Sequence, residues 1–303
     1  MWCAGYPQLW FTYGPKTTSS DTIRSLLLAG ATGARLTFSY GTPELQAERA
    51  TQVRRLAREI GANVFLVADL QGEKCRLSSL AGIDEIPVQR GDVVMLVSEP
   101  GALDSSPIRL QVQLPRYLKE MWPGDIILEG DGAISLEVLE RRGDDVMCRC
   151  LATGKLRPGR GIVLQKREFR PTALTVKDRA DLDFVLKSQL FDAVAVSFVG
   201  TREDVAQVKA LLGGQAAISV IAKIETQLGV DNVESIVAEA DAVMAARGDL
   251  ALTMPWEQLP ASVRTIAQAS QHARKPWILA TQIAEGMERF SFPTRAEICD
   301  SPY

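Results

Sequence analysis

The sequence predicts an α/β protein of parallel βα units interrupted by one all-β insertion. Short apolar, β-branched runs alternate with stretches of helical period at both ends of the chain, as parallel βα units require. Between about residues 73 and 172 helical periodicity is scarce, and short β-rich runs are separated by Gly, Pro and Asp. The strands flanking that region end in polar or charged residues, most clearly Lys223-Ile224-Glu225 and Arg247-Gly248-Asp249.

Taken in order, residues 9–14 read as a strand closed by the turn Gly14-Pro15. Ser20 is expected to cap a helix that carries Ile23, Leu26 and Leu27 and stops near Gly30 and Gly33. Residues 33–39 form a second strand, with Arg35 anomalous in its apolar setting, and Thr42-Pro43 opens a helix running to about Ile60. The strand 63–72 ends in Asp69 and its turn. The insertion follows, with strands at 92–97, 125–130, 133–142 and 145–152 and turns at Gly132 and Gly161. Alternation then resumes: a helix at 177–189, a strand at 191–199, and a helix with the capping pattern Thr201-x-x-Asp204. The Lys-x-Glu strand, a helix near 231–239, the strand ending at Asp249, a helix at 256–273 and a strand at 276–283 complete the series. Seven βα-type strands with polar C-terminal ends predict a TIM-type (β/α) barrel, incomplete at its C-terminal end by one strand of the usual eight. The barrel is assigned residues 1–72 and 173–303, and an inserted β-barrel lid residues 73–172.

With 303 residues, 46% hydrophobic content and a net charge of −3, the chain has no basic bias toward nucleic acid. It lacks an apolar run of about 18 residues, so no membrane helix is expected. Its first residues lack the basic start and apolar core of a secretory signal. The cysteines (Cys3, Cys75, Cys148, Cys150, Cys299) show no Cys-x-x-Cys spacing, which argues against zinc and redox motifs and for a reduced, cytoplasmic protein. Cys148 and Cys150 share a strand face and read as core residues. His272 is the one histidine, at the end of an Ala-rich helix, so acid–base work falls to Lys, Asp, Glu, Thr or Tyr.

Positions i and i+2 on a strand face the same way, so Lys223 and Glu225 project together from a strand buried on both faces. Charges there are costly unless paired or bound. They form either an internal ion pair or a metal carboxylate beside a cation that handles an anionic substrate, with Asp249 as a second carboxylate.

The order of motifs resembles the pyruvate kinase family from about residue 9 to 300. Arg35-Leu-Thr-Phe-Ser39-Tyr-Gly41, Ala68-Asp69-Leu-Gln-Gly72 and Asp131-Gly132-x-Ile134-Ser-Leu136 are similar to family segments. Ser197-Phe198, Lys223-Ile-Glu225, Ala246-Arg-Gly-Asp249, Ala280-Thr-Gln282 and Pro293-Thr-Arg-Ala-Glu297 follow in family sequence. The resemblance implies that Glu225 and Asp249 hold Mg²⁺ or Mn²⁺, whose preference for hard oxygens suits them. It implies that Lys223 neutralises the phosphoryl group in flight, that Arg35 binds the same phosphate, and that Gly248 and Asp249 N–H groups take the substrate carboxylate. Thr281 would join the proton relay at the enolate carbon, and Pro15, Arg76 and Arg160 fall where the family contacts nucleotide. Plain surface charge is the other reading of Arg76 and Arg160.

The departures matter too. The family's potassium site reads Thr37, Ser39, Asp69 and Leu70 here, with two of four ligands changed, and Lys74 stands where potassium-dependent members carry Glu. That combination implies activity without potassium, the ammonium supplying the charge. Tyr40 and Gln71 replace a His and a Lys near the nucleotide. An open seven-stranded barrel exposes two edges, and a homo-oligomeric partner or the N-terminal segment is expected to cover them. The leading expectation is phosphoryl transfer from phosphoenolpyruvate to ADP, giving pyruvate and ATP. A metal-dependent pyruvate-enolate aldolase or lyase on the same barrel, and a non-catalytic homologue, are the alternatives.

Overall fold

The computed structural model describes residues 7–78, 83–100, 107–130, 132–165, 172, 174–213 and 218–300. The strands are β1 (Leu9–Tyr13), β2 (Ala31–Thr37), β3 (Phe65–Asp69), β4 (Ile86–Val88), β5 (Val93–Val97), β6 (Ile108–Gln111), β7 (Ile126–Glu129), β8 (Ile134–Arg142), β9 (Asp145–Cys150), β10 (Gly154–Leu156), β11 (Ile162–Leu164), β12 (Ala193–Val196), β13 (Ser219–Ile224), β14 (Ala242–Ala246) and β15 (Trp277–Ala280). The helices are α1 (Ser20–Leu28), α2 (Pro43–Glu59), α3 (Pro115–Leu118), α4 (Val176–Ser188), α5 (Arg202–Leu211), α6 (Gln227–Asp231), α7 (Val233–Glu239), α8 (Arg247–Thr253), α9 (Leu259–His272) and α10 (Arg295–Asp300).

Two units divide the chain: Met1–Glu73, Thr172–Ala246 and Val263–Tyr303 form one, Lys74–Pro171 and Arg247–Ser262 the other. The first carries a seven-stranded sheet in the order β1-β2-β3-β12-β13-β14-β15, with every neighbouring pair parallel. Val67, Ala193, Ala195, Ile221, Ala242 and Met244 make a buried cluster on one face, and Trp10, Phe65, Ile278 and Ala280 lie against it. Trp10 belongs to the first strand and Ile278 to the last, so a single interior serves both edges and the sheet is curled. A salt bridge of 3.9 Å from Lys16 Nζ to Glu288 Oε2 joins the segments that follow those edges. This is the incomplete TIM-type (β/α) barrel that the sequence predicts.

Trp10 fills the interior. Its ring stacks on Phe65 with centroids 5.4 Å apart, and it crosses β2 at Gly33, where a Cβ would meet the indole at 2.5 Å. Only glycine leaves that space.

Helix boundaries follow local chemistry, with two corrections to the sequence reading. Ser19, not Ser20, caps α1: its hydroxyl accepts from Thr22 N–H. The helix expected near 231–239 is α7, and a short helix the sequence reading did not contain, α6, precedes it; between them Asn232 Nδ2 donates to Gly200 O at 2.9 Å and Leu228 O at 3.1 Å. Thr42 caps α2 with Pro43 at its start, and Asp204 at the start of α5 accepts from Gly200 and Thr201 N–H at 2.9 Å.

The second unit has a six-stranded sheet, β11-β7-β8-β9-β5-β6, and a two-stranded one, β10-β4. Cys148 and Cys150 are buried together in its core, and burial pushes their thiols up to about 12 and about 11 respectively. Residues 247–262, which the sequence reading gives to the barrel, group with this unit. The physical reason is apolar contact: Leu250 and Leu252 are buried, and Leu252 Cδ2 lies 3.7 Å from the Cβ position of Gly132. Cys3 and Asp131, and the N-terminal segment expected to cover an edge, lie outside the described residues. No described helix is long and apolar enough to cross a membrane.

Candidate active site

The interior face of the barrel unit is written at period two along each strand. Ala193 and Ala195 lead to Ser197, Ile221 to Lys223 and Glu225, and Phe65 and Val67 to Asp69. Register sets Arg35 beside Val67 and Thr37 beside Asp69. The face is therefore apolar near the strand starts and charged near their C-terminal ends, where barrels carry their chemistry.

Four charges and one hydroxyl meet there. Lys223 Nζ donates to Ser197 Oγ at 2.7 Å and lies 3.0 Å from Glu225 Oε1 and 3.1 Å from Asp69 Oδ1. The Asp69 contact is an ion pair without hydrogen-bond alignment, since Oδ1 has no hydrogen-bond partner. Arg35 Nε donates to Asp69 Oδ2 at 2.6 Å, its Nη2 pairs with the same oxygen, and its Nη1 reaches Thr12 Oγ1 at 3.3 Å. Glu225 Oε2 accepts from Phe198 N–H at 2.7 Å. Lys223, Asp69, Glu225 and Ser197 are all buried, and the Arg35 side chain is about one-third exposed, at 35%.

Two cations and two carboxylates balance. Burial alone pushes the Asp69 carboxyl up, but the charges of Lys223 and Arg35, with the Arg35 hydrogen bond, outweigh it and hold the group below the usual carboxylate range. The arrangement presents a partly exposed guanidinium backed by a fixed ammonium, which suits a phosphate-sized anion.

The backbone is bent around this cluster. Phe198 has φ 55°, and beyond β15 Thr281, Gln282 and Ala284 have φ 73°, 51° and 49°. A β-branched residue in the left-handed region is an outlier, holding about 1–3 kcal/mol of strain, and such residues gather at functional sites. Thr281 is solvent-exposed, directly after Ala280 of the interior face.

The other expected positions are placed as follows. Pro15 starts a 3-10 turn, Pro15–Thr17. Ser39 N–H donates to Thr37 Oγ1 at 3.4 Å. Lys177 Nζ, which the sequence reading passed over, donates to the intervening carbonyl, Phe38 O, at 2.7 Å. In the second unit Gly248 and Asp249 open α8, and Asp249 Oδ1 is 2.5 Å from Lys74 Nζ. Arg76 Nη1 donates to Gly159 O at 3.1 Å, and Arg160 O accepts from Leu77 N–H at 3.0 Å.

The sequence reading missed two roles: Asp69 as the shared partner of Arg35 and Lys223, and Ser197 as a partner of Lys223. Period-two spacing from Ala193 and Val67 was the available signal.

The family model described as "Pyruvate kinase, barrel domain" matches residues 8–302. The chain belongs to the pyruvate kinase family. It is 35% identical to a pyruvate kinase of Thermococcus litoralis over 291 residues, covering 95% of this chain and 60% of that protein. To a pyruvate kinase of Clostridium perfringens the identity is 32%, covering 96% and 61%. To the chloroplastic pyruvate kinase isozyme A of Ricinus communis it is 32%, covering 95% and 51%. The chain thus spans about 60% or less of the length of these curated relatives. Within the family frame, Arg35, Lys223 and Glu225 are brought into one cluster.

Proposed function

We propose that the chain transfers a phosphoryl group between phosphoenolpyruvate and ADP, giving pyruvate and ATP. The observation that carries this reading is the buried Arg35–Asp69–Lys223–Glu225 cluster at the strand C-termini. Family membership over residues 8–302 supports it.

Arg35 and Lys223 are the phosphate-binding pair. Asp69 holds both in place, so positive charge is aimed before the substrate arrives and needs no reorganisation during transfer. Thr281 is proposed for the proton relay at the enolate carbon, and Gly248 and Asp249 N–H groups for the substrate carboxylate. Pro15, Arg76 and Arg160 are proposed nucleotide contacts. Glu225 and Asp249 are the carboxylates proposed for Mg²⁺ or Mn²⁺. Such a cation is held by one or two carboxylates, with water and substrate oxygens completing its shell. When bound, the cation polarises the substrate's oxygens as a Lewis acid.

Thr37, Ser39, Asp69 and Lys74 fit activity without potassium, because Asp69 already serves two protein cations. A homo-oligomer is proposed on the exposed side chains of Ile283, Met287, Phe290, Phe292 and Ile298. A cytoplasmic setting is proposed on the free thiols of Cys75, Cys148, Cys150 and Cys299.

Phosphorus NMR of the protein with phosphoenolpyruvate, Mg²⁺ and ADP, without potassium, tests the proposal beside a Lys223→Ala control. ATP and pyruvate are expected with the native chain and not with the control. Phosphoenolpyruvate left intact by the native chain overturns the reading and directs the search to metal-dependent carbon–carbon chemistry on pyruvate.

A further inference from the structure

Ser197 sits at the end of β12 on the interior face and is buried. Its hydroxyl has one proton and two neighbours. Oγ lies 2.8 Å from Leu70 O, an acceptor only, and 2.7 Å from Lys223 Nζ, a donor only. The directions are therefore forced: Ser197 donates to Leu70 O and accepts from Lys223.

The turn that carries Leu70 is itself fixed. Leu70 N–H donates to Ala195 O at 2.9 Å, and Gly72 N–H to the buried Asp178 Oδ1 at 3.1 Å. Gly72, at φ +67°, comes so close to β12 that a Cβ there would lie 2.6 Å from Ser197 Cβ and 2.9 Å from Phe198 Cδ2. The hydroxyl rotor is thus locked by a carbonyl that cannot move away. It is an uncharged partner of Lys223, beside the carboxylates of Glu225 and Asp69.

We propose that Ser197 is a positioning residue for Lys223: it holds the ammonium in one direction by a locked, uncharged hydrogen bond, so that ammonium orientation does not depend on the carboxylates alone. The catalytic part of this statement rests on the phosphoryl-transfer reading; the structural part does not. A shift of about 1 Å in a reacting group can lower a rate by about 100-fold. Loss of the hydroxyl is therefore expected to act on kcat and to leave KM for phosphoenolpyruvate within about threefold, because the partly exposed Arg35 still binds the phosphate.

The test compares native protein with Ser197→Ala, Ser197→Thr and Lys223→Arg. Nitrogen–proton NMR of lysine ammonium groups is read alongside turnover. A buried, hydrogen-bonded ammonium gives a slowly exchanging signal, assigned to Lys223 by its absence in Lys223→Arg. In Ser197→Ala that signal is expected to move and its proton exchange to quicken at least about fivefold, with kcat down about 100-fold; Ser197→Thr, which keeps the hydroxyl, restores both. An unchanged Lys223 signal in Ser197→Ala overturns the proposal, as does an unchanged kcat. A changed signal together with no turnover in the native protein sustains the positioning role and overturns the kinase reading instead.

Discussion

At the scale of single residues, Asp69 has the largest share of the cluster, since both cations lean on it. Removing one member of a buried ion pair typically costs about 3–5 kcal/mol, because the remaining charge stays buried and unpaired. Asp69→Asn is expected to destabilise the protein by that order in thermal or urea unfolding at pH 7. The same change alters the acid response. The Asp69 carboxyl is held below its ordinary value in the folded chain, so its contribution is complete above the unfolded value of about 4 and is lost as pH falls toward the folded one. Between pH 5 and pH 3 the native protein should therefore lose more stability than Asp69→Asn does. Equal losses would remove Asp69 from this role. Lys223 and Glu225 were legible as a same-face pair because they lie two apart on one strand. The partner of Arg35 was not: it depends on the register of β2 against β3 and on side-chain reach, neither of which local sequence encodes, and Asp69 was assigned to a cation site instead.

At the scale of elements, the parallel strands were legible from their β-branched runs and polar ends, the cap of α2 from Thr42-Pro43, and the Asp204 half of the α5 cap from Thr201-x-x-Asp204, the Thr201 hydroxyl making no cap hydrogen bond. The break between α6 and α7 was not, because it rests on Asn232 bonding to Gly200, far away in the chain. Nor was the grouping of α8 with the inserted unit, which follows from burial of Leu250 and Leu252. The contact of β1 with β2 supplies its own test. Gly33→Ala drives a methyl into the Trp10 indole and should cost about 1–3 kcal/mol. In Trp10→Ala that ring is gone, so the double variant should fall well short of the sum of the two single changes. Additive effects in a double-mutant cycle would show that Trp10 and Gly33 do not meet.

At the scale of the whole molecule, β1 and β15 end the barrel sheet, and the segment after β15 exposes Phe290 at 65% and Phe292 at 80%. Apolar side chains so exposed, beside a sheet end, are the surface on which the proposed homo-oligomer rests. Sedimentation velocity is expected to show self-association of the native chain that weakens when Phe290 and Phe292 are both changed to Glu; unaltered sedimentation would locate the surface elsewhere. The polar cluster, for its part, draws Arg35 and Asp69 from one end of the chain and Ser197, Lys223 and Glu225 from beyond the insertion. The Lys223–Asp69 ion pair and the Ser197–Leu70 hydrogen bond cannot close until β12 has docked on β3, after a loop of more than a hundred residues has been shut. Asp69→Asn is expected to speed unfolding more than it slows refolding in stopped-flow denaturant jumps, as for contacts made late in folding; equal effects on the two rates would place the contact earlier. Under the proposed function, the charges that would meet a substrate are also those that tie β3 to β13 across the insertion.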